Sequence, residues 1–165
     1  MESSGKITIQ SYPKLAAAIL FCLIVGSLGS LVTTTGSGSW YSSLEKPFFA
    51  PPNWVFAPVW ITLFILMGIA LYLVWQCGTE NRDVQIALGI FGMQFFLNVI
   101  WSFLFFGLQS PLLGLIDIIL LWMMIAATIG AFYRVKKSAA YFLLPYIAWV
   151  TIASALNGAV YFMNG

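Results

Sequence analysis

Charged residues are scarce in this chain, and histidine is absent. Only 7% of the 165 residues are Asp, Glu, Lys or Arg, whereas 61% are hydrophobic. A soluble domain needs far more charged surface, so the composition indicates a membrane protein. Without histidine, the most common metal ligand and general base is missing. Zinc, haem-iron and Ser-His mechanisms therefore lack their usual parts, and we expect no metal site, no assigned catalytic residue and no required cofactor.

Three further absences narrow the possible functions. Cys22 and Cys77 lie in or beside apolar stretches without a CxxC spacing, so neither a disulfide framework nor a thiolate metal site is indicated. No internal repeat is visible, which argues against an inverted-repeat transporter. The net charge of +2 is small and dispersed, so no nucleic-acid partner is expected.

What the chain does contain is five apolar stretches long enough to cross a bilayer, which takes about 20 helical residues. We predict an all-α integral membrane bundle of five transmembrane helices, as a single domain over residues 1–165. The first stretch is longer than the ~7–15-residue apolar region of a secretory signal, so we expect it to remain as a span. The predicted spans are Leu15–Thr35, Asn53–Gln76, Val84–Leu108, Leu112–Tyr133 and Ala139–Phe162, with a connecting loop at 36–52.

The basic residues are distributed unequally between the two sides of the predicted bundle. Lys46 stands alone on one side, and six Lys or Arg residues lie on the other. By the positive-inside rule, the amino terminus should face the cytoplasm. The six residues are Lys6, Lys14, Arg82, Arg134, Lys136 and Lys137.

Polar and aromatic side chains recur at helical spacing inside the spans. On the third span the amide and hydroxyl residues are Gln94, Asn98 and Ser102, and on the fifth Trp149 and Asn157 share a face. Any single one is more often helix-packing glue or an interfacial belt residue. Their joint occurrence, well inside the helices, predicts that stripes from several spans line one cavity.

Asp117 is the only acidic residue within a predicted span. An ionised carboxylate in the bilayer centre costs at least about 2.5–3.5 kcal/mol, so Asp117 is expected to face protein. A structural use is favoured, and a polar or proton-handling role stays open. No Lys or Arg lies in any span, so a charge relay for coupled transport has weak support.

Small residues are spaced four apart on two spans, which allows helices to approach closely. Such stripes serve either packing within the chain or a dimer seam, and the sequence leaves both open. They are Ala18, Cys22, Gly26 and Ser30 on the first span, and Ala126 and Gly130 on the fourth.

Three motifs carry a family resemblance. They read WYxxLxKPxxxPPxWVFxPVW from Trp40 to Trp60, NxxWSxLFF from Asn98 to Phe106, and PYxxWxxxAxxLN from Pro145 to Asn157. In this order, and with five spans, the chain resembles the TspO/MBR family of translocator, tryptophan-rich sensory and peripheral benzodiazepine receptor proteins. The resemblance covers nearly the whole sequence.

The resemblance implies a five-helix bundle, commonly a homodimer, with a pocket under the 36–52 loop for porphyrin, haem, sterols or benzodiazepine-type drugs. It also matches Asp117 to a position that is often acidic in the family. A flat apolar ring system would gain area and stacking from Trp and Phe faces. The implied site residues are Tyr41, Pro51 and Pro52 in the lid, Trp60, Asn98, Trp101, Trp149 and Ala153 in the walls, and Asn157 as deeper polar lining.

The chain departs from the animal members at its end, where Val160-Tyr161 is not followed by the Lys or Arg of their sterol pattern. Sterol binding through that element is therefore not expected. Three functions stay open. These are binding of tetrapyrroles for sensing or regulation, light-driven or oxidative porphyrin degradation using Trp60 and Trp149, and transport of porphyrin or sterol.

Overall fold

The computed structural model describes residues 7–165, and all regular structure within them is helical. Five helices or helix pairs are long and apolar enough to cross a membrane, as predicted. Lys6, one of the basic residues counted above, lies outside the described residues. The α-helices are α1 (Tyr12–Gly26), α2 (Trp40–Ser43), α3 (Asn53–Trp75), α4 (Arg82–Ser102), α5 (Pro111–Val135), α6 (Lys137–Phe142) and α7 (Leu144–Asn164).

The first span begins and ends earlier than predicted. It starts at Tyr12, because Pro13 fits the first helical turn where an N–H is not needed. After Gly26 it tightens into a 3₁₀ helix, Ser27–Leu31, and the expected continuation to Thr35 is wrong. Hydroxyl groups in this segment donate to nearby backbone carbonyls, Ser27 Oγ to Ile24 O at 2.9 Å for example, and such bonds compete with α-helical continuation.

The fifth span is interrupted, where the sequence predicted one continuous helix over Ala139–Phe162. α6 ends at Phe142, and α7 starts at Leu144 with Pro145 in its first turn. Proline has no N–H to donate, and its ring clashes with the carbonyl four residues earlier, which prevents an unbroken helix.

The third span ends in a wider turn. Phe103–Gly107 forms a π-helical segment in which Leu108 N donates to Phe103 O at 2.8 Å, five residues back. Ser110 then caps α5 by accepting from Leu113 N at 3.2 Å. This short connection makes α4 and α5 antiparallel neighbours with an extensive contact.

Small residues bring α1 against α3. A Cβ atom built on Gly68 would lie 2.5 Å from the Cα atom of Ile19, and one on Gly26 would lie 2.5 Å from the Phe64 ring. Ala18 and Cys22 are also buried. Most of the first-span stripe therefore serves packing within the chain, one of the two uses that the sequence had left open.

Candidate ligand cavity

An aromatic-walled cavity of about 460 Å³ lies under the 36–52 loop, between the first, second, third and fifth spans. We call it the aromatic cavity. Seven of the nine residues proposed from the sequence line it, and Pro51 and Pro52 do not. The seven are Tyr41, Trp60, Asn98, Trp101, Trp149, Ala153 and Asn157.

The wall from α3 is built by the first half of the helix, from Asn53 to Phe64. Trp60 stacks on Phe64 with ring centroids 5.6 Å apart and planes at 29°. Phe56, one turn earlier, meets Trp149 of α7 edge-on at 5.9 Å. Met67 follows the same stripe deeper into the bundle but is fully buried in the core, so the lining on this helix ends at Phe64.

The wall from α4 depends on its π-helical end. Trp101 stacks on Phe105 at 5.1 Å with nearly parallel planes, and Phe106 also reaches the cavity. An extra residue in the turn changes the angle between successive side chains, and π segments of this kind recur at functional sites. Two consecutive phenylalanines thus reach one cavity.

Tyr41 closes the cavity from the loop. Its helix α2 is a single turn capped by Ser39, whose hydroxyl accepts from Ser42 N at 3.2 Å. The Tyr41 ring packs on Phe105 and Phe106 at centroid distances of 6.3 and 5.5 Å. Burial raises the pKa of the Tyr41 phenol, so this part of the lining stays uncharged at neutral pH.

Two hydrogen-bonded networks fix the amides. Asn157 Oδ1 accepts from Trp101 Nε1 at 3.1 Å, and its Nδ2 donates to the Pro111 carbonyl at 2.8 Å. Asn98 Nδ2 donates to Tyr146 Oη at 2.9 Å, and that hydroxyl donates to Gln94 Oε1 at 2.9 Å. The polar stripe on α4 is therefore held from α7, which gives the cavity a defined floor.

One buried polar atom on a lining residue has no partner among residues 7–165. The Nε1 atom of Trp149 is buried and donates to no acceptor there. A buried donor without an acceptor costs roughly 1–3 kcal/mol. Trp149 therefore combines an aromatic face at the cavity with a donor that no acceptor within these residues satisfies.

The first span contributes a wall that the sequence analysis missed. Ser27, Ser30 and Thr33 line the cavity from the 3₁₀ segment and the residues just after it. Their three-residue spacing matches the three residues per turn of a 3₁₀ helix, which places them on one side. That three-residue spacing was the available signal for this wall, and the prediction of a regular span over Leu15–Thr35 does not use it.

Comparison with known proteins identifies the family. The model of the TspO/MBR family matches residues 18–163, which include the second, third and fourth spans in full and most of the first and fifth. The chain belongs to the TspO/MBR family. It is a multi-pass membrane protein, because five apolar helices accompany this membership.

Named TspO/MBR relatives come from all three domains of life. The chain is 48% identical to "Tryptophan-rich protein TspO" of Archaeoglobus fulgidus, over 92% of this chain and 97% of the relative. It is 39% identical to "Translocator protein" of Bos taurus, over 80% and 79%. It is 32% identical to "Tryptophan-rich sensory protein" of Cereibacter sphaeroides, over 84% and 87%.

Asp117, the acidic residue within the fourth span, lies apart from the cavity lining. Asp117 is 4% exposed on α5, so it faces protein, as the sequence predicted. Its Oδ2 atom has no hydrogen-bond partner in the described part of the chain. A proton-handling role for Asp117 stays a prediction.

Hydrogen bonds hold the connecting loop at two places. Asn164, at the end of α7, accepts from Glu45 N at 2.9 Å and donates to Glu45 O at 3.0 Å. At the other side of the cavity, Asn53 Nδ2 donates to Thr35 O at 2.6 Å. The loop that carries Tyr41 is therefore held over the cavity by side-chain amides from α3 and α7.

The described residues contain no group of three or more Asp, Glu or Cys side chains able to hold a metal ion together. The aromatic cavity is lined by indoles, phenyl rings, hydroxyls and amides. These groups suit recognition of an organic ring by stacking and hydrogen bonding.

Proposed function

We propose that this protein binds tetrapyrroles, such as porphyrin or haem, and similar flat hydrophobic ring compounds in the aromatic cavity. The observation that carries this proposal is the convergence of Trp60, Trp101 and Trp149, from three different spans, on one cavity. Indole faces stack on flat ring systems and add roughly 0.5–1.5 kcal/mol per pair beyond the area that they bury. Binding would serve sensing, regulation or transport.

The size and polarity of the cavity support the same ligand class. Its 460 Å³ volume falls within the roughly 300–1,000 Å³ range of small-molecule pockets. A ligand acceptor, such as a carboxylate or carbonyl oxygen at the edge of the ring, would satisfy the Trp149 N–H, which has no acceptor among residues 7–165. We expect no metal or cofactor to be needed for this binding.

We further propose that the amino terminus is cytoplasmic and that the protein forms homodimers. The orientation is supported by the Lys and Arg count on the two sides of the bundle. The dimer is proposed from the family resemblance. Gly130, exposed and without close neighbours, leaves room for a second helix on the fourth span.

Titration with protoporphyrin tests the binding proposal. In detergent or lipid, the full chain should show saturable quenching of tryptophan fluorescence, and Trp149→Ala should weaken the affinity about tenfold or more. Trp54→Ala is the matched control, because Trp54 is 74% exposed and lies outside the cavity lining. Quenching that never saturates, or that both variants affect equally, would contradict the proposal.

The other two functions can be measured on the same samples. Product formation under illumination that depends on Trp60 and Trp149 would favour porphyrin degradation over binding alone. Protein-dependent flux of porphyrin or sterol across reconstituted vesicles would favour transport.

A further inference from the structure

A second cavity, of about 370 Å³, lies at the end of the bundle away from the 36–52 loop. It is formed where α1 begins, where α3 ends and in the turn that follows α3. Its lining is polar and includes both signs of charge, unlike the aromatic cavity. We call it the polar pocket, defined by Ser11, Lys14, Tyr72, Trp75, Gln76 and Glu80.

One group of atoms in the polar pocket can only donate hydrogen bonds. Tyr72 is 1% exposed, and its hydroxyl oxygen accepts from Gln10 N at 2.8 Å and from Ser11 N at 2.9 Å. Both lone pairs are then used, so the phenol can interact further only through its O–H, which has no acceptor among residues 7–165. Lys14 adds an ammonium group, held 5.5 Å from the centre of the Trp75 ring.

A second group of atoms can only accept. The Oε1 atom of Gln76 is buried and receives no hydrogen bond within the described residues. The carboxylate of Glu80 lines the same pocket. An incoming group that satisfies both must donate hydrogen bonds, and among donors an ammonium group would also complement the negative charge of Glu80.

The helix ends polarise the pocket in the same sense as the side chains. α1 begins at Tyr12 and presents the positive end of its dipole, whereas α3 ends at Trp75 with its negative end. An anion is favoured near Lys14 and the start of α1. A cation is favoured near Gln76 and the end of α3. The pocket is therefore suited to a ligand that carries both charges.

We propose that the polar pocket binds a phosphoethanolamine group, with its phosphate at Lys14 and Tyr72 and its primary ammonium at Gln76 and Glu80. The 370 Å³ volume falls within the roughly 300–1,000 Å³ range of small-molecule pockets and accommodates such a group. Lys14 and Trp75 sit at the ends of their spans, the depth at which basic and indole side chains meet lipid head groups. The group is supplied either by a phosphatidylethanolamine lipid or by free phosphoethanolamine.

Native mass spectrometry of the full chain in detergent measures this binding. The probes are free phosphoethanolamine and the dihexanoyl forms of phosphatidylethanolamine, phosphatidylcholine and phosphatidylglycerol. Phosphatidylethanolamine should bind about tenfold tighter than phosphatidylcholine, whose quaternary ammonium has no N–H for Gln76. The affinity for phosphatidylethanolamine should exceed that for phosphatidylglycerol by a similar factor, since the phosphatidylglycerol head group has no cation for Glu80.

Variants assign the two charges separately. Lys14→Gln should weaken phosphatidylethanolamine binding about tenfold, and Glu80→Gln should remove the preference over phosphatidylglycerol. Lys137→Gln is the matched control, because Lys137 also lies 5.5 Å from an aromatic ring, that of Tyr133, but outside the pocket. Tyr72→Phe, which keeps the buried ring, gives a second variant if Lys14→Gln lowers the yield of folded protein.

Each outcome decides for or against the proposal. Binding of phosphatidylethanolamine without binding of free phosphoethanolamine supports the proposal and identifies the lipid as the source. Similar affinities for both also support the proposal and show that the head group alone is sufficient. Equal binding of all three lipids, binding of phosphatidylglycerol alone, or no effect of Lys14→Gln and Glu80→Gln beyond that of Lys137→Gln would overturn it. The protoporphyrin titration is separate, so failure here leaves the aromatic cavity's role intact.

Discussion

The aromatic cavity and the polar pocket lie on the same pair of helices but share almost no chemistry. α1 and α3 run antiparallel, so the end of α1 and the start of α3 line the first, and the opposite ends line the second. The aromatic cavity relies on ring faces and fixed amides. The polar pocket relies on a lysine, a glutamate and the two helix dipoles. One helix pair thus borders two cavities of different chemistry, because one end lies under the 36–52 loop among aromatic side chains and the other carries Lys14 and Glu80.

The sharpest way to separate the two regions is to fill one of them. Ala153→Leu adds three carbons to a residue that lines the aromatic cavity, and should lower protoporphyrin affinity by about thirtyfold or more, roughly 2 kcal/mol. Fluorescence titration measures the loss. Ala155→Leu, at an exposed position on the same helix, is the control and should bind normally. Unchanged affinity in Ala153→Leu would show that protoporphyrin binds elsewhere.

A change at the contact between α1 and α3 should affect both regions together. Gly68→Ala places a Cβ 2.5 Å from the Ile19 backbone, so the helices must separate at a cost of roughly 1–3 kcal/mol. The apparent midpoint of thermal unfolding in detergent should fall, and both protoporphyrin and phosphoethanolamine binding should weaken. Gly92→Ala, with nothing near its Cβ position among residues 7–165, gains the same helix propensity without a clash and should lower none of the three. Loss of only one ligand would mean that the two regions are mechanically independent.

Removing one hydroxyl should disturb the aromatic cavity alone. Tyr146→Phe leaves Asn98 Nδ2 and Gln94 Oε1 without their shared partner, which costs roughly 1–2 kcal/mol of stability. The unfolding midpoint should drop and protoporphyrin binding should weaken, while phosphoethanolamine binding stays as in the parent chain. Tyr133→Phe, at an exposed site, provides the comparison. An unaltered midpoint would indicate that water replaces the hydroxyl at little cost.

The smallest expected effect concerns the loop that covers the aromatic cavity. Asn164→Ala deletes two hydrogen bonds to Glu45, both at exposed positions, so the stability loss should be at most about 1 kcal/mol. Limited proteolysis within residues 36–52 should become faster, whereas the polar pocket is unaffected. Asn81→Ala, which removes a cap at the other end of the bundle, serves as the control. Equal cleavage rates would show that the Asn164 contacts do not hold the loop.

The number and approximate bounds of the spans followed from the sequence because bilayer thickness sets a minimum apolar length. The break between α6 and α7 did not follow from the apolar pattern of the sequence. Hydrophobicity is similar on both sides of Leu143, and only the backbone consequence of Pro145 ends α6 there.

The aromatic cavity was predictable in part for a related reason. Trp60, Asn98 and Trp149 each belong to a stripe of side chains at helical spacing on their own span. The face of each helix that carries them could therefore be predicted from the sequence. The face that carries Ser27 and Ser30 could not be predicted in this way. A 3₁₀ helix has about three residues per turn, whereas the prediction used the period of an α-helix. The polar pocket was also missed, since it combines residues from two helix ends and a turn that are far apart in sequence.

The two irregular turns described above, 3₁₀ at Ser27–Leu31 and π at Phe103–Gly107, both border the aromatic cavity. Backbone bonds of these geometries are weaker than those of a regular α-helix. Amide protons there should exchange with deuterium sooner than those in the middle of the spans. Opening of the bundle at these two turns would then let a bulky ligand enter beneath the 36–52 loop.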